Sequence, residues 1–173
     1  MVKIVATLIS EKITSNTIEA QNLFATNRFG EKIGEKILYS IPEAFFLIQD
    51  GKMEIINYHG KKLTQKEILR KFERIDKKFK TKYIVFKDLR EKGYIVKTAL
   101  KFGAEFRVYE KGKKVGKNHS KWILFPVSEN SKTTWQDFSA KSRVAHSTKK
   151  NLLIAIVDEE SDVSYYEVKW TKI

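Results

Sequence analysis

Residues 149–170 read KKNLLIAIVDEESDVSYYEVKW, and this stretch decides the fold of the C-terminal half of the chain. Within it, residues 152–157 are almost purely aliphatic, which is typical of a strand buried on both faces of a sheet. Residues 164–170 alternate along the chain and predict a final strand. The acidic run of residues 158–162 is then the turn between the two strands. A strand covered on both faces needs helices around its sheet, so this stretch predicts an α/β sheet domain.

The segments before this stretch extend the same sheet. A helix over residues 133–148 carries an apolar stripe of Trp135, Phe138 and Ala145. Further upstream, the patterns predict one glycine-ended helix and three strands, over residues 83–92, 94–98, 105–110 and 121–127. Residues 81–173 are therefore predicted to form a C-terminal domain, a mixed β-sheet flanked by helices.

Residues 1–80 are predicted to form a small N-terminal domain of mixed α/β character, with a role in packing, subunit contact or RNA contact. The patterns predict two strands and a capped helix between them, over residues 2–9, 53–56 and 40–50. Thr64 and Glu67 fit a capping box that opens an amphipathic helix, whose apolar positions are 68, 69, 72, 75 and 79. The domain boundary is expected near the basic run of residues 77–82, and the fold class is α/β (α+β).

The composition excludes several classes of protein. The chain has 173 residues, 34 Lys+Arg against 21 Asp+Glu, and 42% hydrophobic residues, so it can bury a core and is not a disordered basic tail. It has no cysteine, which excludes a disulfide scaffold, a thiolate zinc site and a cysteine nucleophile. No apolar run approaches the ~20 residues that span a bilayer, and the N-terminus is more typical of a strand than of a signal peptide. A soluble, cytoplasmic protein without a membrane partner is expected.

The net charge of +13 raises the expectation of a polyanionic partner such as nucleic acid. Five lysines and no acid occur from Lys111 to Lys121. This basic strip is either a phosphate-contact surface or a solvated lysine-rich hairpin, and charge alone does not distinguish the two.

Three histidines are candidates for chemistry, because histidine titrates nearest to neutral pH. His59 lies in a turn, and His119 lies inside the basic strip just before a strand. His146 lies on the predicted helix of residues 133–148, where Arg143, His146 and Lys150 share one side if the last turn reaches Lys150. No two histidines have the spacing of a metal-ligand pair, so no histidine metal site is predicted.

A carboxylate pattern keeps a second kind of nuclease open. Asp158 ends the aliphatic strand, and Glu167 and Lys169 form an acidic-x-Lys triplet on the next strand. Metal-dependent nucleases hold Mg²⁺ with an Asp and a Glu and have a lysine nearby. Such triplets are common by chance, which weakens the signal. A Mg²⁺ site of Asp158, Glu167 and Lys169 is therefore kept only as the alternative hypothesis.

Several separate motifs, in the same order and at similar spacing, resemble the catalytic domain of the archaeal tRNA-splicing endonucleases. They are KDLREKGY at 87–94, KFGAEFRVYE at 101–110, NHSK at 118–121, RVAHS at 143–147, KKNLL at 149–153, VDEE at 157–160 and YY at 165–166. The resemblance covers residues 83–170 closely. The N-terminal part is similar in size and in the helix region of residues 41–48.

The resemblance implies a metal-independent RNA endonuclease with a Tyr/His/Lys triad and no cofactor. Carried over by motif, the triad is Tyr109 of FRVY, His119 of NHS and Lys150 of KKN. In this chemistry a base removes the proton of a ribose 2′-OH, which attacks the adjacent phosphate, and an acid protonates the departing 5′-oxygen. A cation stabilises the charge that develops on the phosphate. The products are 2′,3′-cyclic phosphate and 5′-OH ends.

The resemblance assigns Tyr109 as general base, His119 as general acid and Lys150 as electrostatic stabiliser. A phenol ionises near pH ~10 and is a poor base at neutral pH, although a nearby cation such as Lys150 favours the phenolate. Tyr109 and His119 could exchange roles, and the sequence leaves both assignments open. His146 is then either a structural residue or one that contacts the catalytic residues without touching the substrate.

The resemblance also implies the substrate, which is precursor tRNA folded into a bulge–helix–bulge at the exon–intron junctions. A bulge lowers the cost of splaying a nucleotide out of its stack. Members of the family hold a flipped bulge base with an arginine and a second planar residue. Arg143 of the RVAHS motif matches the arginine, and Trp170 is the candidate for the second group.

The acidic cluster is either a solvated turn or a subunit interface; it comprises Asp158, Glu159, Glu160 and Asp162. In the family, an acidic loop at this place inserts into a basic pocket of a second subunit. The chain is about half as long as the fused forms, so the resemblance implies four chains. They form a homotetramer or an α2β2 heterotetramer with a non-catalytic relative. The complete triad makes this chain the catalytic subunit, and a purely RNA-binding subunit is the other alternative.

Overall fold

The structure is a computed structural model that describes residues 2–112 and 119–173. The chain divides into two compact units, of which the first ends at Tyr83 and the second begins at Ile84. Within the described ranges, no helix is both long enough and apolar enough to cross a membrane.

The first unit contains a five-stranded sheet. In chain order its elements are β1 (Ile4–Ile9), β2 (Lys12–Ser15), α1 (Ile18–Asn27), β3 (Glu31–Ile33), β4 (Lys36–Tyr39), α2 (Ile41–Gln49), β5 (Met53–Ile56) and α3 (Gln65–Ile75). The strand order is β3-β4-β2-β1-β5. β1 and β5 are parallel, and the other neighbours are antiparallel.

Sequence patterns predict the strongly patterned elements of this unit and miss the others. The predicted strands and capped helices appear as β1, α2, β5 and α3. β2, α1, β3 and β4 are not predicted. β2 and β3 contain one apolar residue each, and α1 buries one side chain, Ala20. A helix with so narrow an apolar face has no clear helical periodicity.

Side-chain caps explain where α2 and α3 begin. Ser40 and Thr64 each accept a hydrogen bond from the backbone N–H three residues later, and the glutamates at those positions reach back to complete two capping boxes. Glu43, the first of these glutamates, is buried and also accepts the Gly30 N–H at 3.0 Å. Gly30 has φ +75°, and a Cβ there would collide with the Ile37 side chain. Only glycine therefore fits at this position, where a hydrogen bond connects the start of the β3–β4 hairpin to α2.

The amphipathic helix, whose apolar pattern predicts that it extends to Phe79, ends before Asp76. Asp76 has extended backbone, with φ −132° and ψ 108°, and its carboxylate accepts the Lys78 N–H at 2.9 Å. Phe79 instead opens α4 (Phe79–Glu91), and its ring still packs edge-on against Phe45 at 5.3 Å between centroids. The apolar periodicity thus identifies the core residue correctly but not the end of the helix.

The second unit contains another five-stranded sheet. After α4 its elements are β6 (Ile95–Thr98), a 3-10 turn (Leu100–Phe102), β7 (Phe106–Tyr109), β8 (Trp122–Ser128), α5 (Trp135–Ser147), β9 (Asn151–Val157) and β10 (Val163–Val168). The strand order is β10-β9-β8-β7-β6. α5 connects β8 to β9, which are parallel, and the other neighbours are antiparallel. Two mixed sheets with helices confirm the α/β (α+β) fold class.

Helices cover both faces of the second sheet. On one face, Ala145 of α5 packs in a core with Ile123 and Leu152. On the other face, Phe86 of α4 packs against Phe106, with ring centroids 6.0 Å apart. Each residue of the aliphatic run in β9 is buried or half-buried, as predicted for a strand covered on both sides.

The apolar stripe predicted on α5 is present in part. Ala145 is buried and Phe138 packs against the same core. Trp135 is 85% exposed and meets the Phe138 ring edge-on at 5.8 Å. The prediction is wrong for Trp135 because the helix starts within a run of exposed residues, 129–137, which carries its first turn into solvent.

Candidate active site

Three neighbouring strands bring candidate residues together at one end of the second sheet. The Val108 carbonyl accepts the Lys121 N–H, and the Lys121 carbonyl accepts the Asn151 N–H, both at 3.0 Å. Tyr109, Lys121 and Lys150 therefore lie in one row across β7, the start of β8 and the start of β9. Adjacent strands are about 4.8 Å apart, so Tyr109 and Lys150 are separated by two strand spacings.

Tyr109 and Lys150 belong to the face of the sheet that α5 covers. Arg107 pairs with Ile123, and Ile123 pairs with Leu152. Ile123 and Leu152 both belong to the core beneath α5. Side chains two residues apart on a strand share a face, so Tyr109 lies on the side of Arg107 and Lys150 on the side of Leu152.

The end of α5 fixes the backbone of Lys150. Thr148 caps the helix, and Lys149 adopts the left-handed conformation with φ 56°. The Lys149 N–H donates to the His146 carbonyl at 3.0 Å and the Lys150 N–H to the Ala145 carbonyl at 2.9 Å, which is the Schellman pattern. Glycine is the usual residue at the position of Lys149, so a lysine there is a strained choice next to the candidate site.

The surroundings of Lys150 are partly apolar and positively charged. Burial and the nearby Arg107 charge lower the pKa of Lys150 below its ordinary value. Its ammonium donates to the Thr148 carbonyl at 2.9 Å and lies 5.8 Å from the centroid of the Phe102 ring. Lys97, the cross-strand partner of Arg107, is buried as well. This concentration of cations favours a bound phosphate and negative charge that develops on it.

The histidine and the tyrosine of the candidate triad differ in exposure. Tyr109 is buried at 5% exposure, whereas His119 is exposed. His119 lies two residues before Lys121, which pairs with Glu110 at 2.7 Å. The antiparallel pairing of β7 and β8 therefore brings the connection that carries His119 to the end of β7. Residues 113–118, which hold three lysines of the basic strip, lie outside the described residues.

A cleft of about 190 Å³ adjoins Lys150, and His146, Asn151 and Trp170 are among its walls. The rings of His146 and Trp170 are 4.7 Å apart and inclined at 44°. Trp170 is 60% exposed and lies just beyond β10, and Arg143 is exposed on α5, three residues before His146. The cleft therefore offers a planar group an aromatic wall next to Lys150.

One expectation about the site needs correction, and one residue near Lys150 was not predicted. The row of Arg143, His146 and Lys150 along one helix face does not form, because α5 ends at Ser147. Lys150 is instead positioned by the C-terminal cap of α5 and by the start of β9. Sequence patterns also missed Arg107, although its spacing of two residues from Tyr109 on a predicted strand was a usable signal.

The residues of the alternative Mg²⁺ site do not come together. Asp158 follows the end of β9, whereas Glu167 lies opposite Leu153 near the start of that strand. Five residues of extended strand, about 17 Å, separate the two positions. Glu167 instead contacts Asn151 and pairs with Lys169 at 3.8 Å. This register contradicts a metal site shared by Asp158 and Glu167.

The acidic cluster forms a turn that its own hydrogen bonds close. The Asp158 N–H donates to the Asp162 carbonyl at 3.1 Å, and the Asp162 N–H donates to the Asp158 carboxylate at 2.8 Å. The Glu159 N–H donates to the Glu129 carboxylate at 2.8 Å. Carboxylate oxygens of Asp158, Glu160 and Asp162 lie within 4.8 Å of one another. So much like charge in a largely exposed turn favours a cationic partner.

The fold and the site together define a class: a two-unit α+β protein with a tyrosine, a histidine and clustered cations at one end of its second sheet. Family models match both units. The model for the tRNA intron endonuclease, N-terminal domain, matches residues 4–69, and the model for the tRNA intron endonuclease, catalytic C-terminal domain, matches residues 79–165. The chain therefore belongs to the tRNA intron endonuclease family and carries its catalytic domain.

Curated relatives align with nearly the whole chain. The tRNA-splicing endonuclease of Pyrococcus abyssi is 41% identical over 166 residues, which cover 95% of this chain and 95% of the relative. That of Thermococcus gammatolerans is 41% identical over 171 residues, which cover 98% and 99%. That of Methanothermobacter thermautotrophicus is 37% identical over 153 residues, which cover 88% of both. The similarity extends over both units.

Proposed function

We propose that the chain excises introns from precursor tRNA at bulge–helix–bulge junctions without a metal ion. The ribose 2′-oxygen attacks the adjacent phosphorus, the bond from phosphorus to the 5′-oxygen breaks, and that oxygen leaves with a proton. The ends are a 2′,3′-cyclic phosphate and a 5′-OH. The observation that carries the proposal is the row in which Tyr109 and Lys150 stand two strands apart, with His119 on the connection into the strand between them.

Each member of the triad suits one part of this reaction. Tyr109 takes the proton of the 2′-OH, and His119 gives a proton to the 5′-oxygen. Lys150, with Arg107 beside it, stabilises the charge that develops on the phosphate. Because the nucleophile is part of the substrate, no metal is needed to generate one.

A bulge nucleotide is held next to the triad in this proposal. Arg143 and Trp170 stack on the flipped base from either side. Both side chains are exposed to solvent, so a base can reach them. Trp170 forms a wall of the cleft beside Lys150, so a base stacked on it keeps the neighbouring phosphate close to the ammonium group.

The active enzyme is proposed to contain four chains, as a homotetramer or as an α2β2 heterotetramer with a non-catalytic relative. The acidic cluster docks on a cationic surface of another subunit. The turn that displays this cluster is held in shape by the bonds between Asp158 and Asp162, which suits a preformed contact.

Cleavage of a bulge–helix–bulge RNA by the assembled enzyme in EDTA tests the proposal. We expect cyclic-phosphate ends in EDTA. We also expect His119→Ala to lower the cleavage rate by about 100- to 10,000-fold while RNA binding is retained. His59→Ala is the matched control, because His59 is exposed in a turn of the first unit. Cleavage that requires Mg²⁺ would contradict the metal-independent mechanism, and an unchanged rate in His119→Ala would indicate a non-catalytic subunit.

A further inference from the structure

The positive charge of the first unit is concentrated on and around α3. Residues 1–60 contain six basic and seven acidic side chains, whereas residues 61–80 contain nine basic and three acidic ones. A segment of 20 residues thus carries a net charge of +6, almost half of the +13 of the whole chain. The catalytic proposal makes no use of this segment.

These cations face solvent. We call the α3 basic surface the set of exposed cations on α3, in the turn after it and at the start of α4: Lys66, Arg70, Lys71, Arg74, Lys77, Lys78 and Lys80. The opposite side of α3 is apolar, with Ile68 and Phe72 buried. Phe72 packs on Phe45 of α2, with ring centroids 6.2 Å apart. Packing therefore fixes α3 so that its cationic side points outward.

The three acidic residues of the segment 61–80 do not neutralise the α3 basic surface. Glu67 caps the start of α3 and lies 3.7 Å from Lys61, and Asp76 pairs with Lys82 at 2.7 Å. Glu73 is exposed. Within residues 2–112 and 119–173, no carboxylate forms an ion pair with a member of the α3 basic surface.

Folding alone gives no reason for this arrangement. Lys66, Arg70 and Arg74 follow one another at intervals of four residues, where like charges on a helix repel and destabilise it. Solubility is served by charges of both signs that are interspersed over a surface. A row of cations kept in spite of repulsion indicates a polyanionic partner that offsets it.

The residue types indicate which part of an RNA would be contacted. Both aromatic residues of the segment, Phe72 and Phe79, are buried, so no exposed ring of residues 61–80 is available for stacking on a base. Ammonium and guanidinium groups without an aromatic partner contact phosphates, and such contacts position a nucleic acid without reading its sequence.

We propose that the α3 basic surface is a second RNA-binding surface, on the first unit, which binds the phosphate backbone of base-paired RNA. The inference rests on the proposed function in taking RNA as the substrate. It assigns the first unit a direct part in holding that substrate. Binding at this surface is independent of sequence and weakens steeply as salt rises, because it releases counterions from the RNA.

A charge-matched pair of variants tests the inference. The first variant is Lys66→Gln, Arg70→Gln and Arg74→Gln together, because glutamine keeps the helix propensity of α3. The control removes three exposed lysines from strands of the same unit: Lys12→Gln, Lys32→Gln and Lys36→Gln. Both full-length variants have the same net charge. The probe is a fully paired RNA hairpin without bulges, and its affinity is measured against salt concentration.

We expect the α3 variant to bind the hairpin more weakly and to lower the slope of log affinity against log salt by about 2 to 3, since each lost phosphate contact removes about 0.9. The control keeps the wild-type slope. Equal slopes for the two variants would overturn the inference. Wild-type RNA binding with weakened subunit assembly of the α3 variant, measured by light scattering, would overturn it in favour of a protein partner.

The proposed function is tested separately. At saturating bulge–helix–bulge RNA, we expect the strand control variant, Lys12→Gln, Lys32→Gln and Lys36→Gln, to cleave at the wild-type rate. If the wild-type enzyme cleaves no such RNA, the proposed function fails, while the hairpin slopes still decide the α3 basic surface. The two failures are therefore distinguishable.

Discussion

At the scale of single residues, Lys150 owes its chemical character to its neighbours. Burial and the charge of Arg107 both lower its pKa. The form that stabilises a developing phosphate charge is the protonated ammonium. Activity that depends on this form is present at low pH and is lost as pH rises through the pKa of Lys150. In the proposed mechanism, the lowered pKa of Lys150 brings the alkaline loss of activity to a lower pH than an ordinary lysine would give.

We predict that Arg107→Gln moves the alkaline limb of the pH–rate profile to higher pH. Removing the Arg107 charge raises the pKa of Lys150, so the ammonium stays protonated further into the alkaline range. The measurement is kcat/KM against pH for cleavage of the RNA substrate. Lys132→Gln is the control, because Lys132 is exposed beyond the far end of β8. An alkaline limb that stays in place in Arg107→Gln would refute the coupling, whatever happens to the maximal rate.

At the scale of elements, the edge strand β10 is tied to α4 through one tyrosine. The Tyr165 hydroxyl donates to the Asp88 carboxylate at 2.7 Å, and Asp88 also pairs with Lys92 at 2.7 Å. The Lys92 ammonium lies 5.3 Å from the centroid of the Tyr165 ring. Burial and the bond to Asp88 raise the pKa of Tyr165, so its hydroxyl stays a donor at alkaline pH. These contacts hold the edge strand against the helix beneath it.

We predict that Tyr165→Phe lowers the free energy of unfolding of the second unit by about 1 kcal/mol, the net value of one hydrogen bond. Urea unfolding followed by tryptophan fluorescence measures it, because all three tryptophans lie after residue 84. Tyr166→Phe is the control, since the neighbouring tyrosine is 56% exposed on the other side of β10. Equal stability of the two variants would mean that the bond to Asp88 contributes nothing.

At the scale of the whole molecule, the distribution of charge matters more than the net value of +13. Among the residues that the structure describes, cations concentrate around Lys150 in the second unit and on the α3 basic surface in the first, and the sequence has a further basic run from Lys111 to Lys121. Acids concentrate in the turn after β9. A uniform positive surface would repel other copies of the chain, whereas a separate acidic cluster offers them a complementary contact.

We predict that neutralising the acidic cluster dissociates the assembled enzyme at moderate salt. The variant replaces its four acids: Asp158→Asn, Glu159→Gln, Glu160→Gln and Asp162→Asn. Light scattering is expected to give a tetramer for the wild type and smaller species for the variant, because the ion pairs between subunits are lost. The control neutralises four exposed acids elsewhere, Glu11, Glu35, Glu73 and Glu91, as glutamines. A variant that remains tetrameric would exclude the cluster as an interface.

The sequence by itself determined the elements whose signals are local. The polar cap at Ser40, the capping box at Thr64 and the aliphatic run of β9 each depend on neighbours within a few residues, and the structure contains all three. The motifs that resemble the endonucleases were likewise readable, and they identified the family that the comparisons establish.

Only the tertiary structure decided which distant residues meet. The register of β7, β8 and β9 brings Arg107 to Lys150 and keeps Asp158 about 17 Å from Glu167. Strand register depends on burying one face of a sheet against a helix, and that interaction joins segments far apart in the chain. A local pattern shows that a strand exists, whereas its partners and their alignment follow from the packing of the complete sheet.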